Sequence, residues 1–464
     1  MPENNSQGNP GLVERIRRFY NRMVKHDGQG ILIPLFGIIL IGFLNGYSVT
    51  YTKVLSGRHD WMPFLLSILK QLTFLAIGTV VAIIFYHFDY RKWTTAKWQF
   101  IMLATIVGLL FVVYTNAAGH DANGAQRWIG LPMGLTIQPS EFAKLGAIIW
   151  AAYTLDSHVK KHGEFYLLER YDWSQSEWIH NRWVRKIKSY FGKRANGKWG
   201  KRFKKLSLPK VFIPAVFIVP GIYSVMTLLQ PDMGTAVIIF WFPVLMTLLV
   251  GYHKGHRKYL YGLMGLGVIA ACLLIYFSTY RWKRIQAYYD PWSDITVNGY
   301  QVTQSILSAA LGGFWGEGFT KGISKYNYLP EAHTDFAFSI FAQEFGFLGV
   351  LVVIALFLWF TKYALSIARH SRDFLGQILA SGLTFFITGQ AFFNMAMVAG
   401  LLPVTGVPLP FISYGGSSLV TNFAVIGILL NIARRNEYAR KQIGTNRDLQ
   451  SIGEETRHRF KPRS

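Results

Sequence analysis

The stretch RWKRIQAYYDPWSDITVNGYQVTQS, residues 281–305, sets the cations Arg281, Lys283 and Arg284 ahead of two carboxylates, Asp290 and Asp294. Cations hold phosphate oxygens through charge-assisted hydrogen bonds, and a carboxylate can take the proton from an attacking hydroxyl. A solvated loop with a turn at Asp290-Pro291 would carry the same residues. A second group follows in LPEAHTDFAF, where Glu331, His333 and Asp335 stand directly before an apolar run that continues past Leu356. An acid at a helix N-terminus would account for Asp335 but not for His333.

Other ionisable groups fall inside or beside apolar runs: Lys70, Arg127, Glu141, Lys144 and Asp232. A charge within a membrane span costs roughly 2.5 to 3.5 kcal/mol on insertion scales, so each is a candidate for a polar cavity. Glu141 and Lys144, three residues apart, share one helical face and can pair. They could equally be a structural pair, with Lys70 snorkelling to the interface. Pro231 and Gly234, flanking Asp232, predict a broken backbone that faces protein or water. The segment SYGGSS, with Ser413, Gly415 and Gly416, could offer backbone amides to a phosphate or could allow tight entry into a helix.

The elements that would position these groups are membrane helices. Of the 464 residues, 51% are hydrophobic and 16% charged, yet the net charge is +24. About 20 mostly apolar residues span a bilayer, and the chain has ten such runs, near 31–50, 62–87, 98–117, 139–156, 212–229, 235–252, 259–278, 336–361, 374–400 and 418–433. The fold class expected is an all-α polytopic membrane protein with a large outer loop, 279–335, between the seventh and eighth spans. The first 30 residues form a polar, basic tail without the apolar core of a secretory signal. Residues 31–433 make one membrane domain and 434–464 a second basic tail.

With ten spans, one side of the membrane collects 38 of the 48 Lys and Arg, including a basic insert at 156–211. That side is cytoplasmic by the positive-inside rule, which puts both termini inside and residues 279–335 outside. The same asymmetry accounts for the positive charge without nucleic acid. The insert mixes Trp173, Trp178, Trp183 and Trp199 with its cations, which suits an anionic lipid surface as well as solvent. Cys272, the one cysteine, lies within a span, so neither a disulfide nor a cysteine-ligated metal enters.

Five motifs, GAQRWIGLPMGLTIQPSEFAKL, LLQPDMGTA, DPWSDITVNGYQVTQS, YLPEAHTDFAFSIFAQEFGFLG and GLLPVTGVPLPFISYGGSSL, resemble in order, across the membrane region, the SEDS family of shape, elongation, division and sporulation proteins. VTGVPLPFISYGGSS is more similar to the RodA elongation branch than to the FtsW division branch, although LPEAHTDF also suits the latter. The resemblance implies a peptidoglycan glycosyltransferase in the bacterial cytoplasmic membrane that polymerises lipid II at its outer face. It implies a class B penicillin-binding protein and other elongation or division proteins as partners. It marks Asp294 as the essential acid and ranks Asp290 below it. The substrate-binding residues expected are Lys70, Arg127, Glu141, Lys144, Asp232, Arg281, Arg284, Glu331, His333, Asp335, Ser413, Gly415 and Gly416. A divalent cation, magnesium or manganese, could assist at the pyrophosphate, with its ligands undefined. The large basic insert and the C-terminal tail depart from the family pattern. A lipid II flippase would share the spans and cavity but needs charges along both leaflets. A scaffold would not need charges at cavity depth.

Overall fold

The computed structural model describes residues 27–56, 61–113, 119–122, 125–131, 135–162, 215–250, 257–293, 295, 299–326 and 328–459. Asp294 and residues 163–211 of the basic insert lie outside them.

Among the described residues each of the ten apolar runs holds a helix. The helices are α1 (Asp27–Ser56), α2 (Trp61–His87), the single turn α3 (Tyr90–Trp93), α4 (Ala96–Val112), α5 (Pro139–His162), α6 (Ala215–Leu229), α7 (Met233–Val250), α8 (Arg257–Tyr276), α9 (Thr279–Tyr289), α10 (Tyr300–Leu311), α11 (Ala337–His370), α12 (Phe374–Val398) and α13 (Gly416–Arg459). By length and composition six of them, α1, α2, α7, α11, α12 and α13, can cross a membrane, and a seventh span results if α8 and α9, bent by 98°, are taken together. The helices α4 and α6 are shorter, at 17 and 15 residues, and α5 carries Glu141, Lys144 and Asp156. Ten crossings are therefore more than length and composition alone establish.

Two features were not expected. Three strands, β1 (Gly119–Ala122), β2 (Ala125–Leu131) and β3 (Leu135–Ile137), form an antiparallel sheet, with Ile129 opposite both Gly119 and Ile137. These strands are too short for alternation to stand out beside the long apolar runs. The last helix does not stop near residue 433 but continues to Arg459.

The bundle is held by apolar packing among α1, α5, α7, α11, α12 and α13, with Phe360, Phe386, Ile148 and Leu429 fully buried. Helix α2 packs on α13 and turns Leu65, Leu69, Val80 and Ile84 outward, as a lipid-facing helix does. Buried hydroxyls fold back on their own helices: Thr227, Thr247 and Thr384 each donate to the carbonyl four residues earlier, at 2.7–2.8 Å. Such bonds satisfy the side chain where water is absent.

Helix α11 is broken at Gly346, where φ is 64° and ψ −166°. The groups freed by the break are taken up by residues 313–318. Glu317 and Gly318 donate their N–H groups to the carbonyls of Gln343 and Glu344, and Phe347 and Leu348 donate to those of Gly313 and Phe314, at 2.9–3.3 Å. At the far end of α11, Tyr90 donates its hydroxyl to Asp373, Arg91 pairs with Asp373, and Arg435 pairs with Asp89. These contacts fasten the start of the C-terminal extension of α13 to the loop before α3, and α3 in turn to the loop between α11 and α12.

Candidate functional site

Four segments meet at the end of the bundle that begins α5, α7, α11 and α13. Asp232 caps α7: its Oδ1 accepts the N–H of Thr235 at 3.2 Å, while Oδ2 accepts Gln138 Nε2 at 3.3 Å. Arg127, on β2, donates to the carbonyls of Gln230 and Pro231. The guanidinium thus holds the turn that carries Asp232. The expected backbone break between α6 and α7 is present at this turn. Gly234 is required there, because a Cβ on it would fall 2.0 Å from the carbonyl oxygen of Thr405.

The loop before α11 packs against the same place. The carbonyl of Asp335 accepts Asn394 Nδ2 at 2.7 Å, and that amide also donates to the carbonyl of Val407 at 2.8 Å. The carbonyl of His333 accepts the N–H of Tyr414 at 2.9 Å. Gly406, at φ 72°, leaves room for the Asp335 carboxyl: a Cβ there would lie 3.4 Å from Oδ2. From the other side α9 approaches, with Arg284 donating to the carbonyl of Val404 at 3.5 Å and Tyr288 to that of Leu401 at 3.0 Å.

The result is a cluster of Asp335, Glu331 and Asp232 with Arg284 and Arg127. Burial pushes the Asp335 carboxyl up to about 7, and the charges of Glu331 and Asp232 act in the same direction, against the opposing arginines. Such a group holds a proton near neutrality. Glu331, at φ 55°, is exposed and accepts the Thr334 hydroxyl at 2.8 Å. An open cavity of ≈ 460 Å³ lies along α9, lined by Trp282, Lys283, Tyr289, Asp290 and Ser293 and by none of the cluster's residues.

One turn into α5, Lys144 Nζ stands 2.8 Å from Glu141 Oε1 and 2.9 Å from Gln390 Oε1, and all three side chains are buried. The pairing expected from the spacing is present. Lys144 also lies over the Phe386 ring.

Other candidates are placed differently. Arg281 turns away from the cluster and donates to the carbonyl of Leu274 at the end of α8, at 3.1 Å. Lys70 is half-buried on α2. The Ser413 hydroxyl oxygen accepts the N–H of Leu409 at 2.9 Å, which closes a local turn. Gly416 opens α13, and a Cβ on it would meet the Phe74 ring at 2.2 Å. Tight packing thus explains that glycine without a phosphate. Asp294 lies outside the described residues. Among the described residues no three His, Cys, Asp or Glu side chains group closely enough to hold a metal ion.

The structure adds residues that the sequence reading passed over. Gln390 and Asn394 sit four apart in an apolar helix, a spacing that was visible. Ser417, whose hydroxyl oxygen accepts the N–H of Gln138 and donates to the carbonyl of Thr136, gave no such sign.

An α-helical bundle with several membrane-crossing helices and a charged cluster at one end defines a multi-pass membrane protein. The chain belongs to the FtsW/RodA/SpoVE family of cell cycle proteins, whose family model matches residues 29–438. It is 33% identical over 410 residues to a probable peptidoglycan glycosyltransferase FtsW of Geobacter sp. (strain M18), covering 88% of this chain and 95% of that one. It is 34% identical over 422 residues to the protein of the same name from Legionella pneumophila (90% and 93%), and 31% identical over 369 residues to stage V sporulation protein E of Bacillus subtilis (80% and 87%). Among solved structures it is similar to a chain of a peptidoglycan synthase complex described as coordinating polymerization and crosslinking (TM-score 0.60, 22% identity, 88% and 97% covered). It is also similar to rod shape determining protein RodA of Thermus thermophilus (TM-score 0.53, 21% identity, 88% and 96% covered). These two likenesses concern the fold. The leaning to the RodA branch gains no support from these sequence relatives, which carry the FtsW and sporulation names.

Proposed function

We propose that this protein is a peptidoglycan glycosyltransferase that polymerises lipid II at the outer face of the cytoplasmic membrane, in cell division or elongation. The observation that carries the reading is the convergence of Arg127 and Arg284 with three carboxylates at one end of a family-typical bundle. In the proposed step the C4 hydroxyl of one lipid II glucosamine attacks the anomeric carbon of the growing chain. The new C–O bond forms as the bond to undecaprenyl pyrophosphate breaks with its electron pair, and the hydroxyl proton passes to a carboxylate. Asp294 takes that role by its place in the motif. Arginines of the cluster oppose the charge that develops on the departing pyrophosphate. Magnesium or manganese, when bound, would supply further charge neutralisation there.

Both termini are cytoplasmic in this reading, on the strength of the basic-residue asymmetry. A class B penicillin-binding protein is the partner, a reading supported by the synthase complex to which the fold is similar. Purified protein incubated with labelled lipid II, alone and with that partner, tests the whole reading. Glycan chains should appear. Movement of lipid II across vesicles without polymer would instead favour a flippase.

A further inference from the structure

A second buried charge cluster lies apart from the site described above. Lys325 Nζ stands 2.6 Å from Glu344 Oε1 and 2.8 Å from Ser48 Oγ, and both charged side chains are fully buried. Ser48 donates its hydroxyl to the same Glu344 oxygen at 2.5 Å. Three parts of the chain meet here: the C-terminal third of α1, the loop before α11, and the last residues of α11 ahead of its break.

What is held at this point is the loop. Gln343 and Glu344 bind it with backbone and side chain alike. Their carbonyls accept Glu317 and Gly318, Gln343 Oε1 accepts the N–H of Ser324 at 3.2 Å, and Gln343 Nε2 donates to Glu317 Oε2 at 2.9 Å. From Lys325 the chain is braced onward, because the N–H of Leu329 donates to the carbonyl of Ser324 at 3.0 Å and Leu329 and Ala332 are buried. Two, four and six residues beyond Leu329 come Glu331, His333 and Asp335. A buried ion pair contributes little net stability, since desolvation offsets the attraction, but losing one partner strands the other. Its distinctive property is geometric.

We infer that Lys325 and Glu344, with Ser48, form a latch that sets the position of the acidic loop 331–335 relative to α7 and α9. Lys325 and Glu344 are positioning residues that act through the backbone of 324–335. The consequence for turnover rests on the glycosyltransferase reading above; the latch itself does not.

Hydrogen–deuterium exchange on the full-length, detergent-solubilised protein tests it, together with lipid II polymerisation on the same preparations. In Lys325→Met, exchange over 317–326 and 328–336 should accelerate at least tenfold while α12 is unchanged, and polymerisation should fall at least tenfold. The double variant Lys325→Met/Glu344→Met should melt at the wild-type temperature, since no charge is stranded, yet keep the fast loop exchange and the low turnover. Recovery of turnover with melting temperature would overturn the latch, as would unchanged loop exchange or acceleration that extends equally to α12. If Lys325→Met does not fold, Ser48→Ala should show a smaller acceleration in the same residues, and its absence overturns the inference. A wild-type protein that makes no glycan would end the glycosyltransferase reading, while the exchange pattern would still decide the latch.

Discussion

Lys144 Nζ lies 2.8 Å from Glu141 Oε1, one turn earlier on α5, with the Gln390 amide oxygen on its other side. Glu141 Oε2 is buried and has no hydrogen-bond partner among the described residues. Lys144→Ala would therefore strand a buried carboxylate, a loss of about 3–5 kcal/mol by comparison with other broken buried pairs. The expected outcome is a lower melting temperature and sharply reduced polymerisation of lipid II. Unchanged turnover with lowered melting would make the pair purely structural.

Asp335 supplies a pH signature. Its folded carboxyl titrates at about 7, against 3.8 ordinarily. Between those values the folded state binds a proton that the unfolded state has released, so the contribution to stability declines as pH rises through that window. Asp335→Asn removes the decline. Relative to wild type, the variant should gain melting temperature steadily from pH 5 to pH 7.5; parallel curves would place the Asp335 carboxyl in the ordinary range.

Asp294→Asn should abolish glycan-chain formation, because an amide cannot accept the hydroxyl proton and a general base contributes on the order of 100- to 10,000-fold. Membrane insertion, partner association and lipid II binding should persist. Asp290→Asn should be milder. Near wild-type chain formation by Asp294→Asn would refute the proposed step while leaving family membership intact.

Gly346→Ala should destabilise the protein by about 1–3 kcal/mol, since its backbone angles belong to a region essentially reserved for glycine. The added Cβ would also fall 2.3 Å from the Gly316 nitrogen. Gly221→Ala, where a Cβ meets nothing within 4 Å, serves as the control and should melt no lower than wild type.

Orientation is open to a direct measurement. A reporter after Asn196 should behave as cytoplasmic and one near Asn298 as external, as the basic-residue asymmetry requires. An external signal at Asn196 would invert the assignment of the whole cluster.

The helices were legible because lipid solvation imposes long apolar runs, and each of the ten holds a helix among the described residues. The Glu141–Lys144 pair was legible because it lies within one helix, where spacing alone determines proximity. Arg281 and Arg284 show the limit. Three residues apart and alike in type, they diverge because α9 meets α8 at a sharp bend, sending one guanidinium back to Leu274 and the other toward Val404. Lys325 shows the same limit, since nothing local in the sequence reveals a partner 19 residues away on α11.

The break at Gly346 also divides the dipole of α11. An uninterrupted helix would concentrate its partial charges at the two ends of the span. Here the segment 337–345 ends within the protein, and its C-terminal carbonyls present a partial negative pole of roughly half an elementary charge. That pole faces the N–H groups of Glu317 and Gly318, which donate to the carbonyls of Gln343 and Glu344. Backbone electrostatics therefore help to hold residues 317–318 against the break.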